Sequence, residues 1–273
     1  MINQMKYVLL LFFVLCAGIK VGNTCSILYY IDKQTGKIYA VNNEDFWYTT
    51  KPYIKILPAK NDELARLWFG WKDFAQGGIN EAGLFFDGAV TPNQPMPEGY
   101  TNKRGNLGDE ILAKCKNVNE AIDFLEKHKI ALSNAHLLFG DKTGNAAVVS
   151  WVEGKRKITR PDDNFLIATN FLLEAPEKGN TPCYRYEAMV KEIQRLEESD
   201  VPIGLREVGN IAAKAVQAPR NIDGKTLGTL YTTFINITDM EFVLAFKLDN
   251  SKLTKLDLEA EFAKGKKRTI RLK

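Results

Sequence analysis

Cys25-Ser26-Ile27-Leu28-Tyr29-Tyr30-Ile31-Asp32-Lys33-Gln34-Thr35-Gly36-Lys37-Ile38-Tyr39-Ala40-Val41 reads as a strand, a polar turn and a returning strand. The branched and aromatic residues of 26–31 favour extended backbone, the cluster at 32–36 supplies turn chemistry ending in Gly36, and 37–41 runs back antiparallel. A cysteine thus stands at the start of a β-hairpin.

Upstream of it, residues 1–6 are short and weakly positive, and 7–18 are almost wholly apolar until Lys20 interrupts. That is the pattern of a secretory leader. A cut after Thr24, with Gly22 and Thr24 as the small recognition residues, makes Cys25 the first residue. A cut after Gly18, with Cys16 and Gly18 as the small pair, leaves 19–24 as a propeptide whose removal frees Cys25. A lipidated cysteine needs a Leu-small-small pattern ahead of it, which Gly22-Asn23-Thr24 does not supply. The apolar run is shorter than the roughly 20 residues that span a bilayer, and no later stretch approaches that length. A product without a membrane span, secreted or periplasmic, is expected, with residues 1–24 as leader and 25–273 as its folded domain.

Downstream, Phe46-Trp47-Tyr48, Trp68-Phe69, Trp71, Phe74 and Phe85-Phe86 gather aromatic residues into one stretch, as core or as the wall of an apolar pocket. Helices are expected at 107–114, at 118–125, and from the spacings of Tyr186, Met189, Val190, Ile193 and Leu196 and of Leu205, Val208, Ile211, Ala212 and Ala215. Strands are expected at 136–139 and 146–152 about the turn 140–144, at 165–168, and at 227–237 and 241–247. Strands, helices, strands, helices, strands, with no repeat or linker, give one α+β domain with helices packed on antiparallel sheets.

The chain's 273 residues, 45% hydrophobic and 26% charged, suffice for a large core. Its 37 Lys and Arg against 33 Asp and Glu come nearer to balance when Lys6 and Lys20 leave with the leader, so nothing calls for nucleic acid. The run Lys264-Gly265-Lys266-Lys267-Arg268 reads as a solvated terminal segment. Cys25, Cys115 and Cys183 remain past the leader; if Cys25 is reactive, the other two either pair or lie as small buried hydrophobes. No Gly-rich phosphate loop, Cys-x-x-Cys or His-x-x-x-His pattern occurs, and there are two histidines, so neither a metal nor a cofactor is expected.

A nucleophile here must therefore be activated by protein groups. A cysteine at a chain's first position carries its own base, because an α-amine with a pKa of about 7.7 to 8.0 can take the thiol proton near neutrality. From the residues alone, Asp45 caps a turn, Asn170 satisfies a strand end, Arg185 is a helix-surface cation, and His136 is a structural histidine on a strand. Asn80-Glu81-Ala82-Gly83 reads as a turn between strands, with Gly83 at positive φ.

Several segments, in order, resemble the N-terminal-nucleophile hydrolases of the choloylglycine hydrolase, penicillin V acylase and acid ceramidase-like family. They are Cys25-Ser26 opening a hairpin, Asn42-Asn43-Glu44-Asp45, Gly78-Ile79-Asn80-Glu81-Ala82-Gly83-Leu84, 136–144 ahead of Ala147-Val148-Val149, and Ala168-Thr169-Asn170. With the closing hairpin at 231–246 they cover most of the chain after the leader. The resemblance implies a four-layer αββα fold and a hydrolase of linear amide C–N bonds. It implies that Cys25 attacks through Sγ with its α-amine as base, that Asp45 holds the amine, that Asn170 donates into an oxyanion hole, and that Arg185 favours the thiolate by its charge.

Asn42 stands where the family usually has an arginine that positions the nucleophile. The chain after the leader is also shorter than typical bile-salt hydrolases, so the expected substrate is a small-molecule N-acyl amide with an apolar acyl group, such as a fatty-acyl or aryl-acetyl amide. The same acyl-enzyme could be resolved by water or by an amine, and a homo-oligomer is left open. Two rivals stand beside this reading: a papain-like enzyme with His136 as base, and an exported binding protein that has kept the fold and lost the chemistry.

Overall fold

The structure, a computed structural model, describes residues 25–102, 105–199 and 201–273. The expected leader lies outside the described residues. The first half contains β1 Ser26–Ile31, β2 Ile38–Trp47, β3 Tyr53–Leu57, β4 Arg66–Trp71, β5 Phe74–Asn80 and β6 Phe85–Val90, then α1 Leu107–Lys114 and α2 Val118–Lys127. There follow β7 Ala135–Gly140, β8 Ala146–Val152, β9 Lys155–Thr159 and β10 Phe165–Ala168, then α3 Tyr184–Glu197 and α4 Leu205–Ala213. The chain closes with β11 Arg220–Ile222, β12 Lys225–Asn236, β13 Glu241–Phe246, β14 Leu253–Asp257, α5 Leu258–Ala263 and β15 Arg268–Arg271.

Two antiparallel sheets result. One has the order β10-β1-β2-β12-β13-β14 with β11 on β12, and the other β15-β3-β4-β5-β6-β7-β8-β9. Ile27, Tyr29, Ala40, Phe69, Leu138 and Phe242 fill the space between them. Leu28, Tyr30, Tyr39 and Val41 face the other way, onto Met189 and Ile193 of α3 and Val208 and Ile211 of α4. Phe86, Phe139 and Val149 of the second sheet pack outward on Ile111 and Leu112 of α1 and Ala121 and Leu125 of α2. The order helix, sheet, sheet, helix is the four-layer αββα architecture that the resemblance implies.

Burial on both faces explains why Ser26–Ile31 is apolar without alternation. Each fully buried Leu, Ile or Phe contributes about 1.5 to 3 kcal/mol, so the three layers together dominate stability. The turn after β7 adds a polar lock. Asp141 accepts from Thr143 N, Thr143 Oγ1 and Val118 N, which ties the hairpin to the start of α2. Tyr29 Oη donates to Asp141 O at 2.7 Å, joining the two sheets.

The run 264–268 is exposed as expected, and Arg268 at its end also begins β15, which pairs with β3, its guanidinium holding Glu261 at 2.9 Å. A Cys115–Cys183 bridge is absent, all three described cysteines being free. Cys115 is buried as expected of a small hydrophobe, whereas Cys183 is only half-buried and lies against Thr169 Oγ1.

Candidate active site

The β1–β2 pairing sets Ser26 across from Asn43 and so brings Cys25 beside Glu44. A register irregularity in the β2–β12 ladder between Thr229 and Tyr231 falls opposite Asp45 and Glu44. Such irregularities re-aim side chains. Along β2, Asn42 and Glu44 point between the sheets, and Asn43 and Asp45 point to the helices, where Asn43 Nδ2 donates to Ala212 O of α4.

Four of the residues singled out from sequence meet here. Arg185, in the first turn of α3, donates through Nη1 to Cys25 O at 2.6 Å and to Ser26 Oγ at 2.9 Å, and through Nη2 to Asn170 Oδ1 at 2.7 Å. The same Nη1 lies 3.9 Å from Asp45 Oδ2. Asp45 Oδ1 accepts from Thr229 Oγ1 at 2.5 Å, and Thr229 Oγ1 in turn accepts from Gln217 N. Because Asn170 Oδ1 is held by Arg185, its amide nitrogen is fixed as the outward donor, and it donates to Val90 O at 2.8 Å.

Arg185 reaches Cys25 through the carbonyl, and among the described residues no hydrogen bond joins it to the sulfur. Cys25 is 3% exposed. Its thiol pKa is pushed well above the usual range, by burial first and then by the negative charge of Glu44, Asp45 and Asp87. The resting thiol is therefore protonated, and its reaction needs a proton acceptor close by.

Sequence reasoning left three residues without a role. Glu44 Oε1 accepts from Cys25 Sγ at 3.5 Å, and Glu44 Oε2 accepts from Asn42 Nδ2 at 3.4 Å. Asp87, on β6 of the facing sheet, accepts from Gly88 N through Oδ1. A Cβ at Gly77 would stand 2.2 Å from Asp87 Oδ2, so the opposing strand has no side chain there. Tyr231 of β12 is also buried, and its pKa is raised well above the usual range by burial first and then by the charge of Glu44 and Asp87. Among the described residues Asp87 Oδ2, Asn42 Oδ1 and Tyr231 Oη have no hydrogen-bond partner of good geometry. The signal that pointed here was the acidic character of the Asn42-Asn43-Glu44-Asp45 segment.

The other expectations fall out as follows. Asn80 is fully used in structure: Nδ2 donates to Leu112 O and Cys115 O, Oδ1 accepts from Ala82 N and Leu84 N, and Gly83 has φ +84°. His136 is buried with neither ring nitrogen hydrogen-bonded, and burial lowers its pKa to about 4. Among the described residues no hydrogen bond connects it to Cys25. An apolar pocket of about 240 Å³ lies on the outer face of the second sheet, lined by Phe74, Phe86, Val90, Leu107, Ile111 and Leu137 among others. Phe74 and Val90, at its edge, are 44% and 41% exposed, and Val90 is the residue whose carbonyl holds Asn170. No group of three or more potential metal-ligating side chains occurs among the described residues, and no helix there is long and apolar enough to cross a membrane.

The family model described as acyl-coenzyme A:6-aminopenicillanic acid acyl-transferase matches residues 33–201. The chain belongs to that family. Its fold is shared with conjugated bile acid hydrolase from Clostridium perfringens, at a TM-score of 0.73 and 17% identity over 90% of this chain and 97% of the other. Penicillin V acylase from Agrobacterium tumefaciens superposes at 0.69 with 15% identity, over 91% of each chain. The Caenorhabditis elegans ortholog of N-acylethanolamine-hydrolyzing acid amidase superposes at 0.55 with 12% identity, over 78% of this chain and 93% of the other. At these identities the likeness is one of fold. No curated protein sequence matches the chain.

Proposed function

We propose that this acyl-transferase family member is an exported cysteine amide hydrolase, which cleaves the linear C–N bond of a small N-acyl amide through an acyl-enzyme on Cys25. The observation that carries the reading is the convergence of Arg185 on Cys25 O, Ser26 Oγ and Asn170 Oδ1 beside Asp45. A guanidinium used in this way fixes the start of β1 to the donor that would meet the oxyanion. Sγ attacks the amide carbonyl, Asn170 stabilises the oxyanion, the amine leaves, and water releases the acid. The base implied by the family resemblance is the α-amine of Cys25, available once the leader ahead of it is removed.

None of Cys25, Asp45, Asn170 and Arg185 lines the pocket of about 240 Å³, which meets their site only through Val90, so the apolar acyl group rests on the aromatic stretch of the sequence. Acyl transfer to an amine, in place of water, is the second reading, favoured by the family whose model matches. The test is a series of N-acyl p-nitroanilides, from acetyl to myristoyl and phenylacetyl, with wild type and Cys25→Ala. Cys25-dependent release that rises with acyl length or aryl character supports the proposal. A Cys25→Ala variant as active as wild type overturns it, and an iodoacetamide probe that leaves Cys25 unlabelled favours the binding-protein rival.

A further inference from the structure

His136 and Ser150 are buried polar side chains that the proposed mechanism leaves unused. Neither ring nitrogen of His136 nor Ser150 Oγ has a hydrogen-bond partner of good geometry among the described residues. The second sheet sets the two side by side. β7 and β8 pair Leu137 with Val149 and Leu138 with Val148, and one step on along that register His136 stands across from Ser150. Leu138 and Val148 face the space between the sheets, so His136 and Ser150, each two residues away on its strand, face it as well.

Above them runs the segment that carries Asn170. Val152, the next residue on that face of β8, packs on Leu172 and Ala175. The backbone of Thr169 faces the His136 ring. On β6, Ala89 pairs with His136, and the Val90 that follows gives its carbonyl to Asn170 Nδ2 at 2.8 Å. His136 is therefore flanked by the residue before Asn170 in the chain and by the residue before Val90.

We propose that Ser150, His136 and the Thr169 carbonyl form one hydrogen-bonded chain that positions Asn170 for the oxyanion, with His136 a positioning residue. The inference rests on the reading of Cys25 as nucleophile and Asn170 as oxyanion donor, and it leaves the α-amine of Cys25 as the base. The polarity of the chain follows from the groups in it. Burial lowers the His136 pKa to about 4, so near neutrality the ring has one N–H donor and one acceptor nitrogen. A carbonyl only accepts, so the ring N–H goes to Thr169 O and Ser150 Oγ donates to the other nitrogen. Three buried polar atoms are paired in this way, and an unpaired one would cost its full desolvation. The Asn170 side chain is already held by Arg185 and Val90, and its carbonyl takes Asn180 Nδ2 at 2.6 Å. The contact with Thr169 O fixes the remaining side of the same residue.

Two measurements on the exported, leader-free protein test the proposal. Long-range ¹H–¹⁵N spectra of histidine-labelled protein, in a His128→Gln background that leaves one ring, should show a single neutral tautomer whose acceptor nitrogen alone shifts in Ser150→Ala. Two exchanging tautomers, or no shift, would overturn the chain. The second measurement is kcat and KM on the most active N-acyl p-nitroanilide, per Cys25 alkylated by iodoacetamide so that unfolded protein is not counted. A misplacement of about 1 Å can cost about 10²-fold, so His136→Leu is expected to lose about 10- to 100-fold in kcat with KM within about 3-fold. His136→Gln, whose amide both donates and accepts, should recover most of that loss. Ser150→Ala, which removes one neutral hydrogen bond and little volume, should lose about 3- to 10-fold and carries the kinetic test if His136→Leu does not fold. Because His136 acts through Asn170, adding His136→Leu to Asn170→Ala should change kcat by no more than about 2-fold. An undiminished further loss in that background, or no loss in His136→Leu or Ser150→Ala, would overturn the inference while leaving Cys25 and Asn170 in their roles. Slower Cys25 alkylation in His136→Leu would give the ring to the thiol, as in the papain-like rival, and overturn it too. If Cys25→Ala or Asn170→Ala is as active as wild type, the underlying reading fails, and the inference with it.

Discussion

The two faces of β2 beside Cys25 are built on opposite principles. On the helix side Arg185, Asn170, Asp45, Thr229 and Ser26 form a closed network with contacts of 2.5 to 3.9 Å. Between the sheets, Glu44 makes long hydrogen bonds to Cys25 and Asn42, and among the described residues Asp87, Asn42 and Tyr231 each present a buried polar atom lacking a partner of good geometry. The sulfur faces the second environment. The helix side therefore ties Cys25 O and Ser26 in place, and the sheet side sets the Cys25 thiol among buried carboxylates.

If that division is right, the largest effect belongs to pH and to Glu44. Its folded pKa of about 8 is raised above an unfolded value near 4.5. Its contribution is then fully present below about pH 4.5 and is lost as pH rises through about 8, a change on the order of 5 kcal/mol. Asp87 is shifted in the same direction by burial. Wild type minus Glu44→Gln, measured by urea unfolding at pH 5, 7 and 9, should reveal the Glu44 share as a stability deficit that grows with pH. A difference that stays flat would break the comparison.

Arg185→Met sharpens the other side. It strands Asn170 Oδ1, Cys25 O and Asp45 in a buried site, and loss of one partner of a buried charged network costs about 3 to 5 kcal/mol. Unfolding midpoints should drop accordingly at every pH, unlike the Glu44 effect. Asn170→Ala comes next, with a loss of about 10²- to 10³-fold in kcat if its amide meets the oxyanion, read on the most active p-nitroanilide. Thr229→Val removes one hydrogen bond to Asp45, and its cost of about 1 to 3 kcal/mol should appear in stability before activity.

Much of this arrangement was legible in the sequence because it is local. Ser26–Ile31, Leu107–Lys114, Ala146–Val152 and Phe165–Ala168 are delimited by turn residues and apolar spacing, and the structure has those bounds. The meeting of Cys25, Asp45, Asn170 and Arg185 was legible only through family resemblance, since no spacing relates residues 160 positions apart. Strands β3 and β4 were not foreseen, whereas β5 and β6 showed only as the two strands about the turn Asn80–Gly83. Glu44 and Asp87 were missed because their burial depends on sheet pairing: the irregularity at Thr229 and Tyr231 sets where Glu44 points, and Asp87 joins it from the other sheet. The strand Arg268–Arg271 has no apolar alternation and is defined by its partner β3.

The account rests on Cys25 being both first residue and nucleophile. The decisive measurement is intact mass with N-terminal peptide mapping of the protein recovered from the host's exported fraction, before and after a short exposure to p-nitrophenyl decanoate. The expected result is a chain beginning at Cys25 that gains one decanoyl group on that residue, and no gain in Cys25→Ala. An active protein that retains residues ahead of Cys25, or an acyl group found elsewhere, would contradict it.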